Sequence, residues 1–406
     1  MLDELRRNAI DLVRAEDWNG LLALEQELRA DTQQWIPMWA PSCALAARNL
    51  DSAAGRSYLD EAIAGGFFQP VLFEPELSAA FGSDPGWAAL LQEMADNTPP
   101  PPIALTSWPS IRPTAPLELY RLPSDREALL RQRMPADAQT AWETAKSLLT
   151  WTTNAWEHTS NDHVANQDAV EVLDRVSNGE RFACVEYSIV LSQSLNAAGI
   201  PARRAVLRFA NYHAGFGTGH VVSEAWIDDL NKWVVLDGQN GFYWVSEAGT
   251  PLGLLELQQL FRDGDRASVV CLSRPASDDD VALWWTYFSS TYVNGVAWSD
   301  SPVSAYFEGA PRGLPELVAN PRDAYPNLGE IGVALVTAEG RPAIQPRPAH
   351  PFATGYRVSD GLSTVDCSLT EPWVFPERSA GSHEIQIAAK TPYGTTQPVT
   401  LTWQTT

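Results

Sequence analysis

The proline-rich run "NTPPPPIALTSWPSIRPTAP", residues 97–116, constrains the fold more than any other stretch of the chain. Consecutive prolines stay extended and cannot continue a helix, so the chain divides here. The run reads as a linker or as a strap lying along a surface. Before it, residues 1–97 read as helices. "DELRRNAIDLVRAEDWNGLLALEQELRA" places Leu5, Ile10, Leu12, Val13, Leu21, Leu22, Leu24 and Leu28 at near-helical spacing, broken around "EDWNG". Ala44, Ala46, Ala47, Ala53 and Ala54 are small enough for close packing of paired helices.

Beyond the break, "PADAQTAWETAKSLLTWTTNAWEHTSND", residues 135–162, reads as one helix, and "DAVEVLDRVSN", residues 168–178, as another that stops at "NGE". From about residue 320 short runs rich in β-branched and aromatic residues alternate with turn residues. In "HEIQIAA", Ile385 and Ile387 share one face while Glu384 and Gln386 point the other way, as in a half-buried strand. Five or more such runs predict a β-sandwich of immunoglobulin-like type over 320–406, without a catalytic grouping. The N-terminal rhythm, with its "YLDEAIAGGF" ending, resembles a degenerate tetratricopeptide-type array; an ordinary helical bundle fits the same pattern. The expected fold is multidomain. A helical domain spans 1–97, a linker 98–116, an α+β core with an antiparallel sheet 117–319 and a β-sandwich 320–406.

A formal net charge of −22 argues against nucleic acid or an anionic membrane surface as a partner. No segment reaches the roughly 20 apolar residues of a membrane helix. The acidic, interrupted start "MLDELRRNAIDLVRAEDW" does not read as a signal peptide, so a cytoplasmic location is expected. Cys43, Cys184, Cys271 and Cys367 are widely and unequally spaced with no CxxC pair. That pattern suggests neither a disulfide framework nor a zinc knuckle, and reduced thiols suit the cytoplasm.

One of these cysteines stands apart. In "RFACVEYSIVLSQSLNAAGIPARR", residues 181–204, Val185, Ile189, Leu191, Leu195 and Ala198 support a largely buried helix. Gly199 and Pro201 end it, with Gly199 at the left-handed cap position. Cys184 therefore lies in or just before the first turn, where unpaired backbone amides create partial positive charge. A thiolate is stabilised there, and the thiolate is the nucleophile. A buried structural cysteine satisfies the same position.

Downstream, "HVVSEAWI" and "KWVVLDG" are strand-like runs joined by the turn composition "DDLN", which reads as a β-hairpin. A loop of two or four residues pairs Trp226 with Trp233. His220 and Asp237 then project from one face, about one residue pair apart, whereas a slip of one residue separates them. An imidazole beside a carboxylate has its tautomer fixed and its charged form steadied. Nucleophile, base and base-orienting group would then be Cys184, His220 and Asp237.

The series "CVEY", "LNAAGIPAR", "GH", "EAW" and "KWVVLD", in this order over roughly residues 140–245, resembles the transglutaminase-like superfamily. That resemblance implies a papain/transglutaminase-like core and thiol chemistry on amide bonds without a cofactor. Carried over, Cys184 matches the nucleophile, His220 the base that pairs with it, and Asp237 the group that orients His220. Two departures concern backbone shape near the site: "RFAC" lacks the glycine that usually precedes the cysteine, and "GQN" follows Asp237 where proline is frequent. The backbone amide of Cys184 is one candidate donor for the developing oxyanion. The resemblance also implies an upstream tryptophan as oxyanion donor, for which Trp156 is preferred over Trp151; helix packing is the competing role for both.

Glu224 shares a strand face with His220 and reads as hydrogen-bonding support for the pocket. His158 and His163 lack a third ligand for a metal site. His213 reads as a loop residue, and the glycines of "GFGTG" lack the strand and helix of a nucleotide fingerprint. Two functions follow. The first is a thiol-dependent acyl-transfer enzyme, a peptidase, deamidase/amidase or transglutaminase, working through a thioester on a protein or peptide substrate. The second is a catalytically silent scaffold that binds a protein or peptide partner, with the N-terminal helices as a possible partner surface.

Overall fold

The structure, a computed structural model, describes all residues except 1, 33–39, 51, 66–73, 98–102, 160–162, 165, 209–218, 274, 294–295, 298–315 and 406. His213 and most of "GFGTG" lie outside the described residues. The chain separates into two compact units, one within residues 1–102 and the other over residues 103–405.

The first unit is helical: α1 (Leu2–Arg14), α2 (Trp18–Thr32), α3 (Ala40–Leu50), α4 (Ser52–Ala64), α5 (Glu74–Phe81) and α6 (Trp87–Asp96). Ala44, Ala46 and Ala47 are buried, and Ala44 packs against Leu59 and Ile63 of α4. A Cβ at Gly55 of α4 would stand 2.9 Å from the Ala44 carbonyl oxygen of α3. Leu59, Ile63, Leu77, Phe81 and Trp87 close a core over this contact.

In the second unit, the proline-rich stretch expected to be a linker or strap carries a strand, β1 (Ala104–Ser107). Helices α7 (Ser124–Arg131), α8 (Ala141–Thr153), α9 (Ala169–Ser177) and α10 (Cys184–Ala197) follow. The single helix expected over 135–162 is shorter at both ends. Thr140 caps it by accepting the Glu143 N–H, and beyond Thr153 the chain turns so that the Trp156 ring stacks on Tyr187, 4.1 Å between centroids. Asp168 caps α9 in the same way.

Next come β2 (Ala202–Arg208), β3 (Gly219–Ile227), β4 (Lys232–Asp237), β5 (Phe242–Val245), α11 (Leu254–Asp263), β6 (Ser268–Cys271), α12 (Asp278–Trp285), β7 (Ser290–Val293), β8 (Val296–Ala297) and β9 (Glu316–Leu317). Their strands form one sheet in the order β6-β5-β4-β3-β2-β7-β8-β9, antiparallel except for β8 beside β9. Alternation along β3 and β4 sorts the two faces. Ala225, Ile227, Val234 and Leu236 pack with Leu148, Leu149, Leu191 and Leu195 of α8 and α10. Val222 and Val235 face the other way, toward Leu254 and Leu257 of α11. Helix α10 is enclosed along almost its whole length, and its small polar residues let the sheet approach: Ser192 Oγ lies 3.0 Å from Ser223 Oγ of β3.

The C-terminal region is strand-rich: β10 (Ile331–Ala338), β11 (Arg341–Pro348), β12 (Gly355–Ser359), β13 (Thr364–Ser368), β14 (Trp373–Val374), β15 (Gly381–Thr391), β16 (Gly394–Thr395) and β17 (Val399–Thr405). They make a sheet β10-β11-β14 and a sheet β1-β17-β15-β12-β13 with β16 beside β15. Residues of both sheets, Ile331 and Ile344 with Tyr356, Ile385, Leu401 and Trp403, share one core. Ile385 and Ile387 are buried while Glu384 and Gln386 are not. The strand-rich region belongs to the same compact unit as the core, and β1 reaches it from the far end of the unit's sequence. Among the described residues no helix is long and apolar enough to cross a membrane.

Gly199 ends α10 with φ +84°, and a Cβ there would stand 2.7 Å from Pro392 Cγ. Both the left-handed backbone and the close contact exclude a side chain. Gly199→Ala should lower stability by about 1–3 kcal/mol in urea unfolding. A loss within about 0.5 kcal/mol, the range of a neutral surface change, would contradict this packing.

Candidate active site

The reactive end is built where α10 begins, β3 begins and β4 ends. Antiparallel pairing puts the first residues of β3 and the last of β4 at the same edge of the sheet. The pairs Trp226↔Trp233 and Ser223↔Leu236 give the register in which His220 and Asp237 share a face, and the loop between the strands is Asp228, Asp229, Leu230 and Asn231. His220 Nε2 lies 2.7 Å from Asp237 Oδ2, and both side chains are buried. With Nε2 taken, Nδ1 is the ring nitrogen left to face Cys184. The Val221 amide, like His220, favours the thiolate.

Cys184 is the first residue of α10, and its N-cap, Ala183, supplies no side-chain hydrogen bond. The amides of the first turn therefore keep their partial positive charge for the sulfur and its surroundings. The approach is held by Phe182, fully buried, whose carbonyl accepts the Trp156 indole N–H at 3.2 Å and the Thr159 N–H at 3.1 Å. Neither Phe182 nor Ala183 adopts a left-handed backbone, which is why "RFAC" needs no glycine here.

The "GQN" that follows Asp237 has a role of its own. Asp237 Oδ1 accepts the N–H groups of Gln239 (3.1 Å) and Asn240 (3.0 Å), and Oδ2 accepts Asn240 Nδ2 (2.9 Å). The carboxylate is thereby saturated and aimed. Gly238 lets the turn lie on α10, since a Cβ there would stand 3.2 Å from the Tyr187 carbonyl oxygen. Asn240 and the Val221 amide were not singled out from sequence. The Asx-turn composition of "DGQN" was a legible signal for the former; the latter is a backbone group with no sequence signal.

The charges reinforce one another. Burial disfavours the His220 imidazolium, but the charge and hydrogen bond of Asp237, with those of Cys184, raise its pKa to about 10. Burial pushes the Cys184 thiol up, yet the hydrogen bond and charge of His220 and the Val221 amide bring it below its ordinary value. Burial likewise raises Asp237, and the His220 charge with the turn's donors holds it below the usual carboxylate range.

The Trp156 indole N–H is not open to an oxyanion. It is committed to the Phe182 carbonyl, and the ring to Tyr187, whose hydroxyl donates to the Trp156 carbonyl at 2.7 Å. That expectation is corrected: Trp156 braces the segment before Cys184. Glu224, wholly buried, accepts from Arg203 (3.3 Å), the Tyr325 hydroxyl (2.9 Å) and the Leu254 N–H (3.2 Å). Burial raises its pKa, and it ties the sheet to α11 and to residues 321–325. His163 bonds Glu186 at 3.0 Å. His158 is exposed at the surface, but burial of its surroundings and the His220 charge lower its pKa while Asp237 raises it. Among the described residues no group of three or more His, Cys, Asp or Glu could hold a metal ion.

A family model described as the transglutaminase-like superfamily matches residues 129–238, a span that contains Cys184, His220 and Asp237. Residues 129–238 are a transglutaminase-like domain. Two solved structures are also similar. One is a putative cysteine protease from Cytophaga hutchinsonii, with TM-score 0.22 and 15% identity over 42% of this chain and 50% of that one. The other is a putative protease from Parabacteroides distasonis, with TM-score 0.23 and 14% identity over 69% of this chain and 49% of that one. The match spans about half the length of each, and at such TM-scores neither likeness decides fold or activity. No curated protein matches the chain.

The bracing role of Trp156 in the transglutaminase-like domain separates two outcomes. Trp156→Phe keeps the stack and deletes one of the two hydrogen bonds that the Phe182 carbonyl accepts, so stability should fall by about 0.5–1.5 kcal/mol. The rate at which Cys184 is alkylated should stay within about twofold, the equivalent of roughly 0.4 kcal/mol. Unchanged stability in urea unfolding would show that the indole bond does not brace this segment.

Proposed function

We propose that this protein is a thiol-dependent acyl-transfer enzyme acting on amide bonds of a protein or peptide, with Cys184 as nucleophile, His220 as general base and acid, and Asp237 as the group that orients His220. The observation that carries the reading is the buried 2.7 Å contact between the His220 imidazole and the Asp237 carboxylate, beside a partly buried Cys184 at the start of α10. The transglutaminase-like match and the opposed shifts of Cys184 and His220 support it.

In this reading the Cys184 thiolate attacks the amide carbon. The carbonyl π pair moves to oxygen, and the oxyanion faces the uncapped amides at the start of α10. When the pair returns, the C–N bond breaks and the His220 imidazolium gives its proton to the leaving amine. The thioester remains on Cys184 with His220 neutral. Water or an amine then attacks the thioester, His220 takes the attacker's proton, and the thiolate leaves. Asp237 keeps its charge throughout and steadies each imidazolium.

The test is alkylation of Cys184 by iodoacetamide across pH, followed by peptide mass spectrometry. Labelling should persist well below a free thiol's pKa of about 8.5. In His220→Ala the lowering contact is gone and burial remains, so the midpoint should rise to that value or above it. Cys184→Ala should abolish amide turnover with folding intact. A wild-type profile that follows an ordinary thiol would sink the proposal.

A further inference from the structure

His220 has an aromatic neighbour that the acyl-transfer steps do not use. The ring of Tyr287 lies 5.4 Å from the imidazole, centroid to centroid, with the planes inclined at 33°. Tyr287 belongs to a short 3-10 segment, Thr286–Ser289, between α12 and β7. That segment is fastened on both sides of the ring. Phe288 is buried against Trp244 (5.5 Å) and Trp285 (5.4 Å), and Ser289 Oγ donates to the Arg208 carbonyl at 2.8 Å. Arg208 pairs with Gly219, the residue before His220, so the anchor and the imidazole share one stretch of sheet.

We propose that Tyr287 is a positioning residue for the reactive pair: its ring covers one face of the His220 imidazole and favours the charged form through its π electrons. The inference rests on the acyl-transfer reading of the site. An aromatic face within about 6 Å of a cation attracts it, most strongly where water is scarce. His220 is buried, so the ring acts in a poorly screened place. The groups that bear on His220 are Cys184 from α10, Asp237 from β4 and Tyr287 from the 3-10 segment. His158, from the segment after α8, adds its influence through charge. Burial and the charges of Cys184 and Asp237 hold the Tyr287 phenol protonated above its ordinary range, so the ring stays neutral while His220 titrates.

Burial and the ring push His220 in opposite directions. Removing Tyr287 outright would admit water and favour the imidazolium, masking the loss of the ring. Tyr287→Leu and Tyr287→Met fill much of the space without a π face, and Tyr287→Phe keeps the face and removes the hydroxyl. The readout is the His220 titration, followed by NMR on the full chain carrying carbon-13 at the histidine Cε1 position and assigned with His220→Gln. In the wild type His220 should titrate at about 10. The Leu and Met variants should titrate about half to one pH unit lower, and Phe should match the wild type.

A wild-type imidazole titrating at its ordinary value of about 6.5 would end the acyl-transfer reading itself. A raised wild-type value that the Leu and Met variants retain would overturn only the role of Tyr287. A fall in the Phe variant as large as in the others would transfer the effect from ring to hydroxyl and overturn it as well. Should Leu fail to fold, the more pliable Met variant carries the same comparison.

Discussion

The register of the β3–β4 hairpin is the constraint on which the rest of the site depends. His220 and Asp237 meet because Trp226 pairs with Trp233; moving one strand by one residue would send one of the two to the α10 face. The hairpin is also held at its turn, the end away from His220 and Asp237. Trp226 Nε1 donates to Asp228 at 3.0 Å, and Asp229 accepts the Trp142 N–H at the start of α8 at 2.8 Å. Asn231 turns the chain with φ +50°. A carboxylate at a helix N-terminus is favourably placed, so the turn and α8 steady each other.

The second constraint is the cost of burying charge. An isolated buried ion is expensive, and its solution is pairing plus hydrogen bonds to every remaining lone pair. Asp237 meets this fully through His220, Gln239 and Asn240. Cys184 meets it through His220, the Val221 amide and the start of α10. The same donors that make these charges tolerable also hold the atoms in line, which is why stabilisation and positioning cannot be separated here. Glu224 and Arg203 follow the same logic on the α11 side. The Arg203 guanidinium lies between Trp233 and Tyr325, at 4.6 and 4.4 Å from their centroids, and its charge is met by Glu224.

What could be read from sequence was local or periodic. The end of α10 at Gly199, the position of Cys184 at its start and the parity argument for His220 and Asp237 need only a few neighbouring residues and a period of two or 3.6. What escaped depends on partners far away in the chain. Thr106 of β1 meets Thr402 of β17 hydroxyl to hydroxyl at 2.8 Å, and nothing in a proline-rich run announces a strand partner at the other end of the unit. The premature end of α8 is set by Tyr187 and Phe182, and the fate of the Trp156 indole by the latter's carbonyl. Tyr287 reaches His220 only because β7 returns beside β2.

The strand-rich C-terminal region is fastened to the elements that carry Cys184, His220 and Asp237. Pro392 fills the space left by Gly199, and the Tyr393 hydroxyl donates to the Ala198 carbonyl at 3.0 Å, so the turn between β15 and β16 closes the C-terminus of α10. At the hairpin turn, His350, buried and following β11, places Nε2 3.3 Å from Asp228 Oδ1. His350 Nδ1 accepts the Phe352 N–H, which leaves the ring proton on Nε2. The interaction with His350 and the hydrogen bonds of Thr391 and Trp226 outweigh burial and hold Asp228 below the usual carboxylate range. One region thus grips both the helix that begins with Cys184 and the hairpin that bears His220 and Asp237, each at the end away from those residues. Displacing it would loosen the two supports together, so its contribution to the site is mechanical and needs no side chain of its own near the sulfur.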